Sequence, residues 1–249
     1  MPRLRANSLL AIAAACLLAS CGQGEESRAP DPGPKESLGL FTSLPIYWNE
    51  GEDIAAMLDP QAQQPSWVRE ALEDDALLVP LDTLEAEALA PLDLVLLAQP
   101  RALAPSENVA LDSWVRAGGR ALILADPFLT QHSDFALGDP RRPFDVVLIS
   151  PILTRWGLEL RFDDGQPQGE RQAQLGGAAL PVDLAGSFVT VAGGEQAACE
   201  LLGDGLLAQC EIGQGRVVLL ADAALVDTEH DTPERRAALA NLLQRLRDK

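Results

Sequence analysis

Asp93-Leu-Val-Leu-Leu-Ala-Gln-Pro100 and Arg120-Ala-Leu-Ile-Leu-Ala-Asp-Pro127 stand on either side of a helical stretch, Ser106 to Ala117. Each flank is a short run, apolar on both faces, that a proline stops. Pro105 opens the helix and Gly118-Gly119 closes it. Proline suits a first turn because its missing N–H had no partner there. Glycine suits the position past the last turn because it tolerates a left-handed backbone. Strand, helix and strand of this kind make a parallel crossover with layers on both sides of the sheet. The unit predicts an α/β fold.

Outward from this unit, Leu38 to Leu44 reads as a strand that Pro45 ends, and Ala76 to Leu81 as another. Between them lie a short helix at Asp53 to Leu58, a Gln-rich loop, and a helix from Ser66 to Leu72 with Ser66 as cap. Thr83 to Ala90 fits one or two helical turns. Downstream, Phe128 to Phe144 is a long polar insertion, and Asp145 to Ile149 fits strand and helix alike. Ser150-Pro151 starts a short helix through Trp156, Leu158 to Phe162 is a strand, and Asp163 to Gly177 is loop-rich. Short strands follow at Ser187 to Ala192, Ala198 to Leu202, Leu206 to Ile212 and Arg216 to Ala221. Thr232 caps a final amphipathic helix, Pro233 to Arg247, whose Leu239, Leu242, Leu243 and Leu246 recur at spacings of three and four. The expectation is one domain from residue 37 to 249. It is a three-layer sandwich with a mainly parallel sheet and a late antiparallel hairpin.

The 249 residues are 47% hydrophobic but only 4% aromatic, so the core is built from Leu, Val and Ala. The formal charge is -18 with 19 Lys and Arg. Nucleic-acid backbones demand clustered basic residues, so this composition argues against such a partner.

The amino terminus reads as a targeting signal over residues 1–20. Arg3 and Arg5 precede Leu9 to Leu18, an apolar run too short for a stable span. Leu18-Ala-Ser-Cys21 resembles the bacterial lipoprotein signal, in which cleavage precedes the cysteine and acyl chains are attached to it. The alternatives are an ordinary secretory signal cut nearby and a signal anchor. Acyl chains on Cys21 would hold the chain at a membrane without a spanning helix. Gly22, where an Asp would retain a lipoprotein at the inner membrane of some bacteria, points to the outer membrane. The domain would then face the periplasm. Residues 21–36, rich in proline and glycine, read as a flexible tether.

Cys199 and Cys210 flank the turn Gly203-Asp-Gly205. Pairing Leu202 with Leu207 sets the two cysteines opposite each other in an antiparallel hairpin. They form either a disulfide or two buried free thiols. No CxxC spacing supports a zinc or redox site.

Catalytic motifs are missing. There is no G-x-S-x-G elbow, Walker loop or HExxH. Gly203-Asp-Gly-Leu-Leu-Ala208 fits G-x-G-x-x-A in letters, but it lies in a hairpin and not between strand and helix, so no dinucleotide cofactor is expected. One constellation remains. Ala121 to Asp126 and Val217 to Asp222 are like strands that both end in Ala-Asp, which would place Asp126 and Asp222 at one sheet edge. His132 and His230, the chain's two histidines, follow six and eight residues later. Together the four suit a divalent metal or an acid–base set. Alternatively, the histidines are solvated and the aspartates cap loops. A second candidate ligand site is the loop after the first strand, with Ser43, Tyr47 and Trp48. Its aromatics either meet a ligand or partner or pack beneath the next helix. Trp114 and Trp156 read as core.

Leu92 to Pro100, Leu103-Ala-Pro-Ser-Glu107 and Leu111-Asp-Ser-Trp-Val-Arg-Ala-Gly-Gly-Arg-Ala-Leu-Ile-Leu-Ala-Asp-Pro127 resemble the extracytoplasmic domain of gliding-motility-type, GldG-like ABC transport auxiliary proteins. So do Pro151-Ile-Leu-Thr-Arg-Trp-Gly-Leu-Glu159 and Gly213-Gln-Gly-Arg-Val-Val-Leu-Leu-Ala-Asp222. The resemblance implies a class I glutamine-amidotransferase-like, flavodoxin-like fold. The nucleophilic cysteine of those enzymes has no counterpart here. Relatives usually carry membrane-spanning helices, where this chain carries a lipoprotein signal. The resemblance implies a non-enzymatic accessory or binding subunit that partners an ABC transporter ATPase or permease. The competing class is a metal-assisted hydrolase built on Asp126, His132, Asp222 and His230.

Overall fold

The computed structural model describes residues 35–50, 64–175, 178–194 and 196–248. Cys21, the rest of the signal, most of the tether and the Asp53 to Leu58 helix lie outside the described residues.

Seven strands form the main sheet, in the order β2-β1-β3-β4-β11-β10-β9. They are β1 (Ser37–Thr42), β2 (Leu77–Pro80), β3 (Leu94–Ala98), β4 (Arg120–Leu124), β9 (Ala197–Leu202), β10 (Leu207–Ile212) and β11 (Gly215–Leu220). The first five in that order run parallel, and β10 and β9 are antiparallel additions. The parallel part has the flavodoxin-like order, with β11 as its fifth strand. The cause lies in the apolar runs. Every residue of β3 is fully buried, which requires cover on both faces. Each such leucine contributes about 1.5–3 kcal/mol by leaving water.

Right-handed crossovers then assign the layers. The chain steps leftward from β1 to β2 through α1 (Trp67–Asp75). It steps rightward to β3 and β4 through α2 (Ala86–Leu89) and α3 (Pro105–Arg116). Reversing direction puts α1 on the opposite face from α2 and α3. The last helix, α5 (Pro233–Arg247), joins α1 through Arg236–Glu70 at 3.2 Å and Arg247–Asp75 at 2.6 Å. The short helix α4 (Ser150–Arg155) joins α3. The buried Asp112 carboxylate of α3 accepts from Arg116 Nε, Arg155 Nε and Trp156 Nε1. These donors hold it below the usual carboxylate range although burial opposes them. Trp156 is buried as expected and Trp114 is half-buried against the core.

Caps fall where the sequence places them. Ser66 Oγ accepts from Arg69 N at 3.1 Å and Thr232 Oγ1 from Arg235 N at 3.2 Å. Gly118, at φ +118°, closes α3. Gly215 admits no side chain, because a Cβ there would lie 2.0 Å from Val115 O.

Three expectations are corrected. Asp145 to Ile149 is neither strand nor helix. Residues 163–177, expected as loop-rich, contain β6 (Arg171–Leu175), which pairs with β7 (Ala178–Val182) in a separate two-stranded sheet. A second small sheet pairs β5 (Leu158–Arg161) with β8 (Ser187–Thr190). Lys35 and Glu36, read as tether, are engaged by the domain: Lys35 Nζ donates to Glu73 O, and Glu36 pairs with Arg120 and Arg247.

Candidate functional site

Strands β4 and β11 are adjacent and parallel, with Leu124 opposite Leu220. Two residues on, Asp126 and Asp222 come to the same carboxyl edge, both buried. Their oxygens already have donors. Asp126 Oδ1 accepts from Phe128 N at 2.8 Å and Oδ2 from Ala223 N at 3.2 Å. Asp222 Oδ1 accepts from Ala224 N at 2.6 Å and Oδ2 from Asp183 N at 2.9 Å. Burial pushes Asp126 up to about 7 despite those donors, and the charge of Asp183 adds to the rise. Burial, then the charge of Asp126, pushes Asp222 well above its ordinary value.

A cleft of about 430 Å³ opens beside Asp126, and both His132 and His230 line it. Each histidine is turned to its own neighbour. His132 Nε2 lies 3.4 Å from Asp134 Oδ1 with 70% of the side chain exposed, and His230 Nδ1 lies 2.9 Å from Asp227 Oδ2 with 61% exposed. The four expected residues thus share a region but do not converge. Among the described residues no three His, Cys, Asp or Glu side chains are grouped to hold a metal ion.

At the other candidate, Tyr47 is half-buried with the Arg69 guanidinium 4.1 Å over its ring. Trp48 meets Tyr47 edge-on at 4.9 Å and is 73% exposed. Ser43 has a different task. Its Oγ donates to Gln99 O at 2.5 Å and accepts from Phe144 N at 3.3 Å.

Gln99 is the residue the sequence reading missed. It is fully buried with φ +45°, a left-handed backbone rare for a side chain of its size. Its Oε1 accepts from Asp126 N at 3.0 Å, while its Nε2 donates to Asp126 O at 3.1 Å and Phe144 O at 2.7 Å. The available signal was a polar residue wedged between a buried strand and a proline. Also missed was Arg235 of α5, buried and donating to Glu170 and to Ala224 O.

These bonds decide what the sheet edge can do. Doubly wound sheets bind ligands where the strand order reverses, here between the carboxyl ends of β1 and β3. Ser43 follows β1, Gln99 follows β3, and the Phe144 backbone bonds to both. The chain's own loop thus bridges the two strand ends, and a cavity of about 290 Å³ lined by Ser43, Tyr47 and Trp48 stays open beside them.

Cys199 and Cys210 are disulfide-bonded directly across β9 and β10, with Leu202 opposite Leu207. No helix among the described residues is long and apolar enough to cross a membrane.

No family model and no curated protein matches the chain. Solved structures do, at low identity. The N-terminal domain of mmIFT52 aligns with a TM-score of 0.50 and 14% identity over 73% of this chain and 89% of that one. Gan42B, a GH42 beta-galactosidase from G. stearothermophilus, gives 0.49 and 13% over 86% of this chain but 30% of its own. The cytoplasmic protein STM3548 from Salmonella typhimurium gives 0.49 and 12% over 85% and 98%. At these identities the likeness concerns the fold. The protein is of the α/β class, doubly wound in the flavodoxin-like order, with an antiparallel hairpin added at one edge.

Proposed function

We propose that the chain is an extracytoplasmic accessory or binding subunit, held at a membrane by acyl chains on Cys21, that serves an ABC-type transport or envelope system without catalysing a reaction. The observation that carries this is the loop that ties the ends of β1 and β3 together. Ser43, Gln99 and Phe144 are bonded to one another at the strand ends where a doubly wound fold would take a small ligand, so these polar groups are already engaged. The carboxylates at the same edge hold backbone N–H groups, which suits them to shaping loops. The geometry adds nothing to the hydrolase reading, since its four residues do not converge.

The test is co-purification of the tagged protein from its native membranes in mild detergent, with bound proteins identified by mass spectrometry. Recovery of an ABC ATPase or permease is expected. Repeated recovery of a correctly anchored, folded protein with no transport component would sink the reading.

A further inference from the structure

Five exposed apolar side chains lie on the segments that follow β4 and β5. Phe128 and Phe162 stack with ring centroids 5.5 Å apart and 6° between planes, and they are 49% and 38% exposed. Beside them exposure alternates. Val147 and Ile149 are buried, while Phe144, Val146 and Leu148 are 42%, 48% and 56% exposed. Val147 N donates to Asp126 O at 3.1 Å and Leu129 N to Asp145 O at 2.9 Å. These bonds set Val146 opposite residues 127 and 128, next to the Phe128–Phe162 stack. The Gln99 and Ser43 bonds to Phe144 fix the platform from below. Single exposed apolar residues are ordinary, but a contiguous and rigidly held set marks a contact surface.

The border of this surface is acidic. Arg142 pairs with Asp145 and Arg161 with Glu159. Asp163 and Asp164, next to Phe162, are exposed and carry no ion pair among the described residues. On a chain of formal charge -18, that border selects a cationic partner. Its position matters too. The chain enters the sheet at Ser37, the amino end of β1, whereas the surface lies past the carboxyl ends of β3 and β4. The surface therefore lies at the opposite end of the parallel strands from the residue where the described chain enters the sheet.

We propose that Phe128, Phe162, Val146 and their neighbours dock a protein partner through a segment whose apolar side chains are flanked by Lys or Arg. The inference rests on the accessory-subunit reading and names the contact such a subunit makes.

The test pans a phage-displayed library of random peptides on the purified full-length protein, then measures the selected peptides on V146D, F128S and, as a control on the distant exposed face of α3, V109D. Peptides with apolar centres and Lys or Arg flanks are expected, weakened about tenfold by V146D or F128S, unchanged by V109D, and weakened by added salt. Thermal melts of the variants check folding, and all three positions are exposed. Selected peptides that bind V146D and F128S as well as the parent, or that carry acidic flanks, overturn the proposal. Sedimentation with phosphatidylcholine vesicles, or self-association in the centrifuge, that V146D abolishes would assign the surface to lipid or to a second copy instead. Peptide binding that behaves as expected, together with failure to recover a transport component, would sink the transport reading and leave the docking surface standing.

Discussion

Asp126 and Asp222 close neighbouring parallel strands at one level of the sheet, and each carboxylate accepts two backbone N–H groups from the loops beyond. They act as knots that fix how the chain leaves β4 and β11. Both are buried, so holding them ionised has a cost, and that cost depends on pH.

Burial lifts Asp126 to about 7 and Asp222 well above its ordinary value. In the unfolded chain both titrate near about 3.9. The folded state therefore binds more protons than the unfolded one between about pH 4 and 7, and stability must rise as pH falls through that window. Below about pH 4 the trend reverses, because Glu107, Glu36 and Asp112 are held low by arginines and Asp93 by Ser37, and protonation removes their contribution. The melting temperature is expected to climb from about pH 7 to about pH 4 and then drop. D126N and D222N should flatten the climb. A wild-type melting temperature that rises steadily with pH across this range would refute the assignment.

Gln99 holds three polar groups through its amide while its backbone is left-handed. Q99A removes the bonds and keeps a Cβ in that backbone, so a loss of about 2–3 kcal/mol is expected. Q99G removes the bonds but relieves the backbone, and should be milder by about 1 kcal/mol. Both should speed proteolysis within residues 128–149. Denaturant melts and timed digestion read the two effects, and equal stability of Q99A and Q99G would contradict the strain argument.

The Cys199–Cys210 bond closes a short loop in the last hairpin. Reduction, or replacement of both cysteines by alanine, should cost about 2–3 kcal/mol. The doubly substituted protein should then melt identically with and without reductant. A wild-type protein indifferent to reductant would show that the bond carries no stability.

Cys21→Ser removes the acylation site that the amino-terminal sequence implies. Fractionated cells should show the variant moving from membranes to the soluble extract. Retention at the membrane would point to a signal anchor.

Strands and helices with a strong pattern were legible. The buried runs around α3, the Pro and Gly boundaries, the caps at Ser66 and Thr232, and the pairing of Cys199 with Cys210 all follow from local spacing. So did the shared edge of Asp126 and Asp222, since like strands in a parallel sheet end alike. What escaped depends on distant partners. β6, Arg171-Gln-Ala-Gln-Leu175, is largely exposed and has too few apolar residues to show a period. Residues 128–143 are polar and carry no apolar period, and Phe144 is placed by side chains of Ser43 and Gln99, which lie far off in sequence. The sequence could bring His132 and His230 near the aspartates, but it could not show that backbone N–H groups already occupied the carboxylates.

Glu36 is where the described chain enters its first strand, and its carboxylate is gripped by Arg120 of β4 and Arg247 of α5. β1, which follows at once, is flanked by parallel strands on both sides. A pull on the amino terminus therefore runs along β1 and loads two ladders in shear, while Glu36 passes part of the force to the sheet's centre and to the last helix. The entry point is built as a mechanical footing, in which a load applied at Glu36 is shared by two strand ladders and two arginines.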